Sequence, residues 1–153
     1  MYSIIRSDIL SPSTHDFTVI CHQVNCRGVA GAGLAKQIRD TYPGWYSTYR
    51  AVASSDMLGV AQFTPTTRDY SHWICNLYGQ DNFGRDRQYT DYDALRNALS
   101  DLREWVLDFV SDDYEIRIPY GLGCGLAGGS WPVVLHIIQE ELAGLNYNFY
   151  TRT

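Results

Sequence analysis

Short apolar runs with β-branched residues alternate along the chain with longer stretches whose apolar residues recur at three and four. Residues 2–9 alternate weakly and read as a strand, closed by Ser11-Pro12-Ser13, which cannot continue one. A second strand over 17–24 contains Thr18, Val19 and Ile20, then polar His22 and Gln23, and passes through Asn25 into a loop with Gly28, Gly31 and Gly33. Helical spacing follows, with Leu34, Ile38 and Tyr42 on one face and Pro43-Gly44 as a stop. A short helix over 45–53 comes next, then two strands over 60–64 and 72–78 joined by a polar turn. Residues 79–89, GQDNFGRDRQY, are polar and aromatic without periodicity and predict a surface loop, a common place for function.

The strongest helical signal covers 90–110, where Leu95, Ala98, Leu99, Leu102, Trp105, Val106 and Phe109 form one face and Thr90 or Asp91 supplies the cap. A short strand over 116–119 feeds a second glycine loop, GLGCGLAGG over 121–129, after which Ser130 caps a helix with Val133, Val134, Ile137, Ile138 and Leu142 inward. A strand over 147–151 completes the pattern. Strands and helices alternate through most of the length, which predicts an α/β class with a largely parallel sheet between helix layers.

Composition narrows the partners. A length of 153 residues suits a single domain over 1–153, and 45% hydrophobic content suits a packed globular core. The net charge of −5, with no run of Lys or Arg, argues against an extended nucleic acid but not against a small anion held by backbone amides. No apolar run approaches membrane-spanning length and the first residues lack a signal-type apolar region, so the expectation is a cytoplasmic monomer with no membrane partner. Cys21, Cys26, Cys75 and Cys124 show neither CxxC spacing nor a His-rich pattern, which predicts reduced thiols, no metal and no cofactor.

The chemistry concentrates at the two strand-glycine-helix junctions. Parallel strands end on one sheet edge, so the loops converge there, and glycines ahead of a helix N-terminus let a phosphate approach the backbone. The plain alternative is that the glycines only make tight turns. Gly123 to Gly128 spells GxGxxG, yet the following strand ends in Tyr150-Thr151-Arg152 without the acidic residue a dinucleotide fold requires. Cys21 and Arg27 match CX5R, but Cys21 lies inside an apolar strand, where a small hydrophobe is the better reading. His22 is either a proton-transfer group or a structural histidine. Strict alternation sends His22 and Val24 to one face and Gln23 and Asn25 to the other, so His22 and Asn25 converge only if the strand bends.

Taken together, SDIL at Ser7, HQVNCRG at His22, GAGLAKQI at Gly31 and IPYGLGCGLAGGSW at Ile118 resemble a macro domain. The match is nearest the branch with yeast-type ADP-ribose 1″-phosphate phosphatases, terminal ADP-ribose protein glycohydrolases and small phage or bacterial relatives. The resemblance implies a three-layer α/β/α fold with a mixed, largely parallel sheet and an ADP-ribose cleft at its C-terminal edge. It places Asp8 and Ile9 at the adenine, Asn25 at the distal ribose, and Gly31, Ala32 and Gly33 around that ribose and its phosphate. Gly123, Cys124, Gly125, Leu126 and Ala127 would cradle the diphosphate, and Tyr150 would stack on adenine. The glycohydrolase branch uses a helix lysine and a loop aspartate, where this chain has Arg39 and Ala127. Arginine stays protonated and forms no sugar adduct, and alanine moves no proton, which argues against that mechanism. The phosphatase branch carries a histidine where His22 stands, so the expected activity is dephosphorylation of ADP-ribose 1″-phosphate with His22 and Asn25 as catalytic residues. The alternatives are a non-catalytic reader of ADP-ribose or a related signalling nucleotide, and a protein de-ADP-ribosylating hydrolase.

Overall fold

The computed structural model describes residues 2–110 and 112–152. Six strands form one sheet: β1 (Ile4–Arg6), β2 (Phe17–Asn25), β3 (Ala61–Pro65), β4 (His72–Gln80), β5 (Tyr114–Pro119) and β6 (Tyr147–Thr151), in the spatial order β1-β6-β5-β2-β4-β3. All neighbours pair in parallel except β3, which runs antiparallel to β4 at one edge, so the sheet is mixed as expected. The helices are α1 (Gly33–Thr41), α2 (Pro43–Val52), α3 (Tyr92–Phe109) and α4 (Trp131–Glu141), with a 3₁₀ turn at Ser55–Met57.

Central β2 shows why both faces of the sheet are covered. Val19 and Cys21 pack with Leu95, Leu99 and Ile138 on the α3/α4 side, while Ile20 and Val24 pack with Ile38, Trp45 and Tyr49 on the α1/α2 side. A strand buried on both faces needs an almost continuous apolar run, which is what residues 17–24 supply. The result is the α/β/α sandwich that the periodicity predicts. Among the described residues no helix is long and apolar enough to cross a membrane.

Several boundaries differ for local reasons. The strand expected over 2–9 shrinks to Ile4–Arg6, because Asp8 Oδ1 accepts from the Leu10 amide at 2.9 Å and Asp8 O from the Ser11 amide at 2.9 Å, folding the chain into a turn. Pro43 ends α1 but also opens α2, where its missing N–H is no loss at the first helical position. Asp91, not Thr90, caps α3 by accepting from the Ala94 amide at 3.0 Å. Ser130 stands at the N-cap of α4 without a side-chain cap bond; its amide donates to the Tyr92 hydroxyl at 2.9 Å.

β2 and β5 are adjacent in the sheet and parallel, so the loops leaving their C-terminal ends emerge side by side. They are the two glycine loops.

Candidate functional site

A cavity of about 580 Å³ opens between the loops, within the range typical of small-molecule sites. One wall is the end of the first glycine loop with the start of α1, residues 31–35, and the opposite wall is the second glycine loop with Gly123, Gly125, Leu126 and Ala127. The end of β2 forms the floor, and Phe83, Gly84 and Arg85 close the third side. Ala32 caps α1 without a side-chain hydrogen bond, so the amides of the first turn are left to face a ligand. Among the cavity-lining residues Arg85 is the only permanent cation and none is a carboxylate. In a chain of net charge −5, that composition makes the cavity the place where an anion is least opposed.

The second loop is held from behind. The Thr90 hydroxyl donates to Gly123 O at 2.6 Å, the Gln23 amide donates to Thr90 Oγ1 at 2.9 Å and to Gln80 Oε1 at 2.8 Å, and the amides of Tyr89 and Thr90 both reach Ala127 O. Gly123 has φ of 71°, and a Cβ there would stand 2.8 Å from Gln23 Oε1, so a side chain at this position strains the backbone and has to displace the Gln23 carboxamide.

His22 and Asn25 do converge on the α2 side. Register with β4 shifts at this point, Gln23 pairing with Leu77 but Asn25 with Gln80, so β4 carries an extra residue opposite the end of β2 and the ladder is irregular there. The His22 ring packs 5.2 Å from Trp45, and the Tyr49 hydroxyl on the same helix reaches Asn25 O at 2.6 Å and Asn25 Oδ1 at 3.0 Å. The Asn25 side chain is engaged with its own loop: Oδ1 accepts from the amides of Arg27 and Val29 at 3.0 and 3.3 Å, and Nδ2 donates to Val29 O at 2.9 Å. Its direct contribution is to shape the first glycine loop.

His22 is 2% exposed, with Nε2 2.7 Å from Asn76 Oδ1 and Nδ1 without a protein partner. Burial, only partly offset by the Asn76 hydrogen bond, lowers its pKa to about 4, so the ring is neutral at physiological pH. Linkage then gives a test. Between pH 6.5 and about 4 the unfolded chain binds a proton at this histidine and the folded chain does not, so stability present above 6.5 is lost as the pH falls through that window. Relative to His22→Gln, the parent should lose about 3 kcal/mol between those limits in urea titrations, and parallel pH profiles for the two proteins would contradict a buried neutral histidine.

Of the residues anticipated from the sequence, His22, Asn25, Gly31, Ala32, Gly33, Gly123, Gly125, Leu126 and Ala127 line this cavity, and Asp8, Ile9, Cys124 and Tyr150 do not. Asp8 Oδ2 pairs with Arg152 at 2.8 Å, and its carboxyl is held below the usual range by the Leu10 amide first and by Arg152. Ile9 is buried in the α1/α2 core. Cys124 Sγ faces Leu122 O at 3.3 Å, and burial raises its thiol pKa. Tyr150 is 7% exposed; its hydroxyl donates to Glu115 Oε2 at 2.6 Å, and the Arg117 guanidinium covers its ring at 4.7 Å. Cys21 is fully buried on the opposite face of β2 from His22, in the α3/α4 core. All four cysteines are free, and among the described residues no group of three or more His, Cys, Asp or Glu is placed to hold a metal. Arg39 lies over the Tyr46 ring at 5.4 Å and does not line the cavity.

Phe83, Arg85 and Gln80 were not anticipated individually. The segment 79–89 carries the signal of a functional loop, but nothing in its local pattern says which side chains turn inward.

No protein-family model matches the chain. It is 20% identical over 171 residues to an ADP-ribose 1″-phosphate phosphatase of Saccharomyces cerevisiae (strain YJM789), covering 95% of this chain and 96% of the relative. Its fold is similar to a macrodomain protein from Streptomyces coelicolor, with a TM-score of 0.81 at 25% identity over 100% of both chains. It also superimposes on Thermosipho africanus DarTG in complex with ADP-ribose, with a TM-score of 0.73 at 18% identity, covering 88% of this chain and 38% of that one.

Proposed function

We propose that this chain, whose fold is that of the macro domains, binds ADP-ribose in its cleft and hydrolyses the phosphate ester of ADP-ribose 1″-phosphate. The observation that carries the reading is the cavity itself. It has two glycine walls, an uncapped helix N-terminus and one arginine around a floor of neutral polar groups, which suits a diphosphate flanked by uncharged sugars. The DarTG structure that holds ADP-ribose shares this fold, and the yeast relative is named for the phosphatase reaction.

In the hydrolytic step a water oxygen attacks phosphorus while the bond from phosphorus to the sugar oxygen breaks. The proton lost by water passes to unpartnered Nδ1 of His22 and returns to the sugar oxygen, giving ADP-ribose and inorganic phosphate. Arg85 and the amides of the glycine loops face the charge that develops on the departing phosphate.

A second reading, binding without turnover, is favoured by one observation: the cavity has no carboxylate and its only histidine resists protonation. Calorimetry with ADP-ribose beside a phosphate-release assay on ADP-ribose 1″-phosphate separates the two. The phosphatase reading expects release in the parent and its loss in His22→Ala, with ADP-ribose still bound by the glycine loops. Full turnover in His22→Ala removes His22 from the mechanism, and binding with no release in the parent leaves the reader.

A further inference from the structure

Behind His22 lies a row of polar side chains that crosses three strands. His22 on β2 is the register partner of Asn76 on β4, and Asn76 is the partner of Gln62 on β3, so the three stand side by side under α2. Trp45 on α2 fixes the direction of the row. An indole N–H can only donate, so the Asn76 atom it meets at 2.9 Å is the carbonyl oxygen. That oxygen also lies 2.7 Å from His22 Nε2, which must therefore carry the ring proton. Asn76 Nδ2 donates to Gln62 Oε1 at 3.0 Å, and the same Gln62 oxygen accepts from the Tyr78 hydroxyl at 2.7 Å.

Each contact in the row has one possible sense once Trp45 has set the first. The atom left over is His22 Nδ1, a lone pair buried without a partner on a residue that borders the cavity. A buried acceptor with no donor is costly, and a protein of this size retains few of them. Here the donor can come from the ligand side.

We infer that Asn76 is a positioning residue which, backed by Trp45 and Gln62, locks His22 in the Nε2–H tautomer and makes the floor of the cleft selective for a ligand group that donates a hydrogen bond over one that only accepts. The matching groups are a sugar hydroxyl or a bound water; an ionised phosphate oxygen meets Nδ1 only through such a water. The inference rests on the ADP-ribose reading for the identity of the ligand, but not for the state of the ring.

Long-range proton–nitrogen NMR of the parent at neutral pH reads the tautomer directly. The expected result is a protonated Nε2 and a bare Nδ1, with the Nδ1 resonance moving in the sense of hydrogen-bond acceptance when ADP-ribose is added. An Nδ1–H tautomer, an imidazolium, or an Nδ1 resonance indifferent to bound ADP-ribose overturns the inference.

Calorimetry supplies the second arm, using ADP-ribose and analogues in which each terminal-sugar hydroxyl is replaced by fluorine, an acceptor that cannot donate. One analogue should bind the parent roughly tenfold more weakly than ADP-ribose. In Asn76→Asp both acceptors of the row are kept but the carboxylate favours the imidazolium, so Nδ1 becomes a donor and that preference should fall to about threefold or less. A merely structural Asn76 would weaken every ligand by one common factor, and that outcome overturns the positioning role. Should ADP-ribose not bind the parent at all, the ligand reading fails, while the tautomer in the free protein still decides for or against the lock.

Discussion

Gly125→Val is expected to abolish measurable tight binding of ADP-ribose while leaving the melting temperature of the protein essentially unchanged. Gly125 borders the cavity, its φ lies outside the left-handed region, and a Cβ built on it meets no atom within 4 Å. Nothing in the folded chain therefore asks for glycine here. Neighbouring glycines differ: a Cβ at Gly129 would stand 2.6 Å from Gly123 O, so their replacement strains the loop itself. A valine at 125 puts its two methyl groups into the space between the loop and the facing first turn of α1. A diphosphate displaced from the loop amides forfeits charge-assisted hydrogen bonds worth about 1.5–3 kcal/mol each, so losing even two of them weakens binding by roughly a hundredfold or more. Calorimetry and a thermal melt on the same preparation check both halves. Parent-like affinity in Gly125→Val would place the ligand elsewhere, whatever the fold.

The contrast between Gly125 and Gly129 marks where sequence reading reaches its limit. Both stand in one nine-residue glycine loop, and only the packing around them separates a glycine the fold needs from one that keeps space open. The elements themselves were legible, because strands buried on both faces and helices with one apolar face leave strong periodic traces. The convergence of the two loops was legible too, since it follows from parallel topology. The meeting of His22 with Asn25 was not: it occurs where β4 takes an extra residue between Leu77 and Gln80, opposite the end of β2, and that pairing joins segments more than fifty residues apart. The row His22-Asn76-Gln62 joins residues 54 and 14 positions apart and exists only once strand register is known. The burial of Glu115 and Arg117 leaves no trace in the sequence. Two charges at alternate positions imitate the solvent face of a strand, yet they are 4% and 3% exposed.

Replacing Arg117 by leucine is expected to cost about 3–5 kcal/mol of folding free energy, enough at this chain length to lower the melting temperature by roughly 10 °C. Arg117 Nε donates to Glu115 Oε1 at 2.8 Å, and its Nη1 donates to the carbonyls of Ile9 and Ser11 at 3.0 and 2.7 Å. The other Glu115 oxygen accepts from Asn148 Nδ2 at 2.8 Å and from the Tyr150 hydroxyl. Burial alone would raise the Glu115 pKa, but the hydrogen bonds from Tyr150, Arg117 and Asn148 outweigh it and hold the carboxyl below its ordinary value. Without the guanidinium, a buried carboxylate keeps only neutral partners and two loop carbonyls lose their donor. Glu115→Leu combined with Arg117→Leu removes both charges at once and should recover much of the loss, because the penalty lies in the unpaired ion rather than in the missing bridge. The defect of the single variant should also shrink as the pH falls towards 4. Its unpaired Glu115 carboxyl is raised, so protonation relieves it, whereas the parent's lowered carboxyl loses stabilisation in the same direction. Asp8 belongs to the turn whose carbonyls Arg117 holds, so the same substitution reports on the neighbourhood that the macro domain resemblance assigns to adenine. If urea titrations found the single variant no less stable than the double, the Glu115–Arg117 pair would be a passenger in the core and the turn would have to be held by its own Asp8 hydrogen bonds.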